Sequence, residues 1–348
     1  MERGGYVGRL IMDLLKRRAY ARAGLVGNPS DGYFGKTISC TLKNFWAEVV
    51  LYEWEDVEIV LSQEDRSRFR SVKELAQDVR SHGYYGGVRL VKATIKRFVE
   101  FCDRNQLKLH DRNFSVRYQS NIPRQVGLAG SSAIIVATLR ALMDFYSIDI
   151  PKQVQPSLVL SIETGELGIA AGLQDRVIQV YGGLVYMDFA KDHMTELMGL
   201  QCGVYEPLDP HLLPPLYVAY SADDSEPTEV VHNPLRARFQ AGDPAVLAAM
   251  LKFAALAALA REAILQRDTA RLSTLMDENF NTRRSICRLA PKHVEMIEIA
   301  RRAGASAKFA GSGGAIVGIY SDEAMFERLK NDLSAIGCQV IKPILDLP

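Results

Sequence analysis

From Lys36 to Ser62 the chain reads as strand. KTISCTLKNFWAEVVLYEWEDVEIVLS is rich in β-branched and aromatic residues, and FWAEVVLYE and VEIVL partly alternate apolar with polar positions, the period of a half-buried sheet. From Gly86 the period lengthens. Val88, Val91, Ile95, Phe98 and Val99 recur at spacings of three and four through GGVRLVKATIKRFVEFCDRN, which predicts an amphipathic helix. Alternation returns in NFSVRYQS, where Phe114, Val116 and Tyr118 share a face. NIPRQ and the loop VGLAGSSA follow, and then SAIIVATLRALMDFY predicts a second helix with Ser131 or Ser132 near its N-cap. SLVLSIETGELGI runs helical to a glycine turn, and DRVIQVYGGLVYMDF passes toward strand.

Four prolines in CGVYEPLDPHLLPPL break the pattern, which divides the chain into domains at residues 14–205 and 206–348. The second opens on the strand LYVAYS and several helices. AKFAGSGGAIVGIYS then reads as strand, glycine turn, strand, followed by a helix from Asp322 and a last strand CQVIKPIL. Strands and helices mix without a regular βαβ repeat, so the fold class is α+β.

Composition narrows the function. The 348 residues are 48% hydrophobic and 24% charged, enough for a sizeable core. A net charge of +1 gives no electrostatic pull toward nucleic acid or an acidic membrane. Cys40, Cys102, Cys202, Cys287 and Cys338 are scattered and never spaced CxxC, which argues against a disulfide framework or a zinc site and for a reducing compartment. The N-terminal residues lack the apolar core of a signal peptide. AVLAAMLKFAALAALAREAIL is interrupted by Lys252, Arg261 and Glu262 and reads as a buried helix rather than a membrane span. A cytoplasmic protein acting on a small molecule is expected.

Three glycine stretches compete for a phosphate-binding role. Gly35-Lys36-Thr37 imitates the end of a Walker A loop, but Ser30 stands where its first glycine belongs and strand text follows. FAGSGGAIVG lacks the strand–GxGxxG–helix order of a Rossmann loop, and Ala310 replaces the first glycine of a GxSxG elbow. VGLAGSSA, between a strand and a helix, is the arrangement that turns unpaired backbone N–H groups and a helix dipole toward an anion. A plain serine-capped helix start is the competing account.

Taken together, the stretches resemble the three signatures of the GHMP kinases (galactokinase, homoserine kinase, mevalonate kinase and phosphomevalonate kinase). AYARAGLVGNPSDGYFG is similar to the first, A-P-G-R-V-N-L-x-G-E-H-T-D-Y, with Arg22, Leu25, Gly27 and Asp31 at matching positions. PRQVGLAGSSA resembles the second, P-x-x-x-G-L-x-S-S-A, with one extra residue. KFAGSGGAIVG resembles the third. The order of GNPSDGYFGKTIS, GYYGGVRL, NIPRQVGLAGSSAI and ELGIAAGLQDRVIQVYGGLVYMDF looks like the plant-type glucuronokinase branch, which shares Asn28-Pro29-Ser30 in place of the galactokinase Glu-His-Thr. The resemblance implies a ribosomal-protein-S5-domain-2-like N-terminal domain and a ferredoxin-like α+β C-terminal domain. It also implies transfer of the γ-phosphoryl group of ATP to the anomeric hydroxyl of D-glucuronate. Another sugar-1-kinase, for galacturonate, arabinose or galactose, and a non-catalytic sugar sensor are the alternatives.

The same resemblance implies residue roles. Pro123, Gly127, Leu128, Ala129, Gly130, Ser131, Ser132 and Ala133 would hold the nucleotide. Ser131, or Ser132 because of the extra residue, would ligate Mg²⁺. Glu163 and Asp175 reproduce the family's twelve-residue separation, as metal ligand and catalytic base, with Glu166 the rival for the metal. Arg22 would sit beside Asp175, where a cation favours the ionised carboxylate. Asp31 would accept sugar hydroxyls, and Gly313 would touch substrate. A uronate carboxylate calls for a cation, for which Arg176, Lys36 and Arg124 are the candidates. Tyr84 and Tyr85 would line the adenine pocket, or else pack in the core.

Overall fold

The computed structural model describes residues 14–60, 86–221 and 229–345. Tyr84 and Tyr85 lie outside the described residues. One long strand, β2 (Lys36–Trp54), organises the first half. β1 (Leu15–Val26) runs antiparallel along one edge, from Leu15 opposite Leu51 to Val26 opposite Ile38. The other edge is shared. β4 (Asn113–Ser120) pairs with its C-terminal part and β5 (Leu184–Asp188) with its N-terminal part. β3 (Glu58–Val60) lies outside β4 and β8 (Val204–Leu208) outside β5, completing six strands. β6 (Thr195–Leu197) and β7 (Leu200–Cys202) form a separate hairpin.

The expected strands and helices of this half are present. α1 (Gly87–Arg104), α2 (Gly130–Tyr146), α3 (Gln155–Ser161) and α4 (Gln174–Tyr181) carry them. α2 is apolar nearly all round and packs on β1 and β2, the pattern of a helix enclosed on every side.

The second sheet has the order β10 (Lys308–Phe309), β11 (Ala315–Ile319), β9 (Leu216–Ser221), β12 (Cys338–Ile341), antiparallel throughout. Between β9 and β10 run α5 (Glu229–Gln240), α6 (Pro244–Leu265), α7 (Thr269–Ile286) and α8 (Pro291–Arg302), and α9 (Glu323–Ser334) connects β11 to β12. This is the ferredoxin-like order with extra helices inserted. The chain leaves the first sheet only after Leu208, so a division after residue 205 falls inside β8. Pro207 is tolerated there because β8 is an edge strand.

α6 is long and apolar enough by composition to cross a membrane. Its stripe of Val246, Met250, Phe253, Ala257, Ala260 and Ile264 is instead buried. Leu256, Ala260 and Ile264 pack in one cluster with Ala19 and Leu42 of the first sheet, so the two halves share a core.

Candidate active site

A cleft of about 330 Å³ lies where the halves meet, lined from both. The turn into α2 builds one wall. Its N-cap is Ala129 in the left-handed region (φ 65°, ψ 44°), with no side-chain cap, and the helix begins at Gly130. Neither serine is therefore the cap. The tight left-handed turn makes the cap instead, and it opens the first helical turn, with its unpaired N–H groups, onto the cleft. Gln179 Nε2 secures the turn by donating to the Ala129 carbonyl at 2.8 Å.

The two serines part company. Ser132 is 1% exposed and its hydroxyl donates back to the Ala129 carbonyl at 3.2 Å. Ser131 lines the cleft, and its hydroxyl donates to Glu163 Oε1 at 3.1 Å. Pro123 and residues 127–131 border the cleft, whereas Ser132 and the fully buried Ala133 are packing residues of α2.

The third glycine segment touches the second backbone to backbone. Gly127 has φ 73°, and a Cβ there would stand 2.8 Å from the Gly313 carbonyl oxygen and 2.9 Å from the Ser312 nitrogen. A Cβ on Gly311 would strike the Gly127 carbonyl oxygen and reach within 2.9 Å of the Arg22 guanidinium. Only glycine permits such approach. Gly311 and Ser312 border the cleft. Gly313 does not, since the space beside its Cα is filled by the His293 ring. Of this segment it is Gly311 and Ser312, not Gly313, that face the cleft.

Arg22, on β1, is 5% exposed. Its Nε and Nη2 donate to the two oxygens of Asp175 at 2.6 and 2.8 Å, and Nη1 donates to the Gly127 carbonyl at 2.6 Å. One guanidinium thereby fixes a carboxylate on α4 and the glycine loop together. Next along α4, Arg176 donates through Nε to Glu163 Oε2 at 2.5 Å and through Nη1 to the Gly172 carbonyl at 2.9 Å. Burial pushes the fully buried Glu163 carboxyl above the usual range, against the pull of Arg176. Arg176 is itself raised, because Glu163 and Asp175 outweigh the effect of burial. Its charge is spent on Glu163, which leaves it poorly placed to receive a substrate carboxylate.

The other residues fall into place around this pair. A π-type turn at Ile162–Glu166 swings Glu163 inward, while Glu166 faces out to Lys96 at 2.6 Å. Lys36 pairs with Asp188 at 2.9 Å and does not border the cleft, whereas Arg124 does. Asp31 lies in the short helical turn Ser30–Tyr33, where its Oδ2 accepts from the Gln174 N–H at 3.2 Å. Burial, and then the neighbouring Asp175 charge, push its carboxyl up to about 6.

Three cations at or beside the cleft are given no role by the motifs, although Lys308 opens the third of them. Lys308 is 1% exposed, and its Nζ donates to the carbonyls of Gly24 and Phe309 and to Asn28 Oδ1 at 2.6–2.7 Å. Arg283 is 2% exposed and donates to the carbonyls of Gly311 and Ser312 at 2.6 and 2.9 Å. Arg236 lies exposed at the cleft edge. Each sits in ordinary helix or strand text, and only the packing of distant segments brings it to the site.

Among the described residues no group of three or more His, Cys, Asp or Glu side chains could hold a metal. Ser131 and Glu163 nevertheless present two oxygen donors side by side, with Oε1 on the serine side and Oε2 on Arg176. That set suits a hard cation that keeps most of its waters.

Residues 89–183 match the GHMP kinases N terminal domain and residues 260–337 the GHMP kinases C terminal domain. The chain is 47% identical to Glucuronokinase 1 of Arabidopsis thaliana over 310 residues, covering 87% of this chain and 84% of that protein. It is 46% identical to Probable glucuronokinase 2 of the same plant over 312 residues, with the same shares covered. In fold it is similar to Lactococcus lactis galactokinase complexed with galactose, at TM-score 0.74 and 12% identity over 96% of this chain and 94% of that one. It is similar as well to Streptococcus pneumoniae phosphomevalonate kinase in complex with phosphomevalonate and AMPPNP, at TM-score 0.72 and 12% identity over 95% of this chain and all of that one.

Proposed function

The chain belongs to the GHMP kinases, and on that premise we propose that it phosphorylates D-glucuronate at the anomeric hydroxyl with ATP. The observation that carries this reading is Asp175, gripped by both arms of Arg22 beside the Gly127–Ser131 loop. Phosphoryl transfer needs the phosphates held, the charge on the transferred group balanced and the acceptor hydroxyl aligned.

The loop N–H groups and the start of α2 take the phosphates. Leu90, Tyr118 and Ile122, at the Pro123 end of the cleft, give the base an apolar seat. Ser131 and Glu163 would hold Mg²⁺, which when bound neutralises phosphate charge. Asp175 takes a hydrogen bond from the anomeric hydroxyl. As the oxygen–γ-phosphorus bond forms and the bond to the β-phosphate oxygen breaks, the hydroxyl proton passes to Asp175 and ADP departs. A carboxylate already bound twice by Arg22 is a weak base. Its main work is therefore orientation, with the proton moving late, as a loose transition state allows. Asp31, one residue contact away through Gln174, accepts ring hydroxyls.

The test is turnover of ATP with D-glucuronate and mapping of the phosphate to the anomeric oxygen. Asp175→Asn is expected to lower kcat by on the order of 10²–10⁴-fold with nucleotide affinity kept. Faster turnover of a neutral sugar, or full activity in Asp175→Asn, overturns the reading.

A further inference from the structure

Five arginines and three carboxylates border the cleft. Arg22 and Arg176 are neutralised by Asp175 and Glu163. Arg124 belongs to the turn between β4 and the glycine loop, on the side where the Ile122 side chain approaches Gly130. Arg283 and Arg236 remain, both within electrostatic reach of Tyr33, with Arg283 also holding the Gly311 and Ser312 carbonyls.

Their placement is fixed by packing. Leu235 and Phe239 of α5 join Tyr33 in one apolar cluster, with the rings of Phe239 and Tyr33 4.8 Å apart. That anchorage sets Arg236, between them on the helix, at the cleft edge beside the Ser30–Tyr33 turn that carries Asp31. Among the described residues Arg236 has no hydrogen-bond or ion-pair partner. Arg283 is buried, hydrogen-bonds only carbonyl oxygens and lies over the Phe309 ring at 5.3 Å, and its Nε has no hydrogen-bond partner. No carboxylate among the described residues pairs with it, and burial holds its guanidinium below the usual arginine range. A buried cation without a counter-ion is costly, and an anionic ligand would relieve it.

We infer that Arg236, backed by the field of Arg283, receives the C6 carboxylate of the uronate and sets selectivity for an acidic sugar. The assignment rests on the glucuronate reading above and adds a residue to it. The geometry agrees with the sugar's chemistry. C6 is carried on C5, across the ring oxygen from C1. C6 is also vicinal to the C4 hydroxyl, so a sugar with its anomeric hydroxyl on Asp175 and its C4 hydroxyl on Asp31 turns the carboxylate toward Tyr33, which shares the Asp31 turn. Arg236 reaches it from an exposed position, so it can close over the sugar after entry.

The experiment compares wild type, Arg236→Ala, Arg236→Lys and Arg124→Ala with D-glucuronate and D-glucose, in full kinetics and by calorimetry. Wild-type turnover of glucuronate tests the parent reading separately. For the assignment, Arg236→Ala should lower the ratio of kcat/KM for glucuronate over glucose by about ten- to a hundredfold. The loss should sit in KM and in calorimetric affinity, and Arg236→Lys should restore part of it. Arg124→Ala should raise the KM for ATP and leave the ratio in place. A ratio unmoved in Arg236→Ala, equal losses on both sugars, or a ratio that collapses in Arg124→Ala instead overturns it. Calorimetric binding of glucuronate that is the same in Arg236→Ala and wild type overturns it even if turnover is absent.

Discussion

Asp31 shows how one side chain couples stability to substrate. Its carboxyl is held up to about 6, against an ordinary value of 3.8, by burial and by the charge of Asp175. Between those two pH values the folded protein binds the proton that the unfolded chain releases, so stability falls as pH climbs from about 4 to about 6 and is level above. Asp31→Asn removes the penalty. The variant should match wild type near pH 4 and exceed it by about 1–2 kcal/mol at pH 7, allowing for screening in an open cleft. Paired urea melts across this range check it, and a constant difference refutes it. In wild type, kcat/KM for the sugar should decline as pH drops through about 6, because the protonated carboxyl loses acceptor capacity for ring hydroxyls. Residues elsewhere at the site differ in how far the chain announced them. Asp175 and Arg22 were legible because a motif names both. The choice between Glu163 and Glu166 was not, since residues three apart share a regular helix face, and only the π-type turn separates them.

At the level of elements, the site depends on two glycine turns in backbone contact across the domains. Gly311→Ala places a methyl group against the Gly127 carbonyl and the Arg22 guanidinium. The loops must move apart, carrying with them the pair that positions Asp175. A displacement of about 1 Å at such a position costs on the order of 10²-fold in turnover. That loss in kcat, together with a lowered melting temperature from about 1–3 kcal/mol of overpacking, is the expected outcome for Gly311→Ala. Wild-type kcat in the variant counts against the contact. Periodicity revealed most of the surrounding framework, because α1, α2, β4 and β9 each bury one clean face or are buried throughout. It did not reveal β1 or β8. LKRRAYARAGLV has few β-branched residues and is strand because Ala19, Ala21 and Ala23 fit beneath α2 with no surface exposed, a case of packing overruling propensity. VYEPL falls in the proline-rich stretch that reads as a domain boundary, and its own proline is one that an edge strand accommodates.

Across the whole molecule, the glycine motifs lie far apart in the chain and meet only when the two sheets join, and Lys308 makes that junction. From β10 it reaches the end of β1 and the Asn28 turn, where its Nζ meets three oxygens, none of them a carboxylate among the described residues. Burial drives its ammonium well below the ordinary lysine range, and Arg283 and Arg22 add to the effect. These bonds tie the end of β1 and the Asn28 turn to the third glycine segment in one register. The order of motifs told which segments would converge, but a lone lysine in AKFAGSGG carried no sign that it would bridge them. Lys308→Met preserves the length of the side chain and leaves the Gly24, Phe309 and Asn28 oxygens buried without donors. The variant should lose about 1–3 kcal/mol, with a lower melting temperature. Because the sugar-side turn is then released from β10, the KM for glucuronate should rise more than the KM for ATP, whose loop is held separately by Arg22 and Gln179. Thermal melts and initial rates measured on the same preparation decide it. Equal increases in both KM values would mean that Lys308 supports the fold at large and not the sugar side of the cleft.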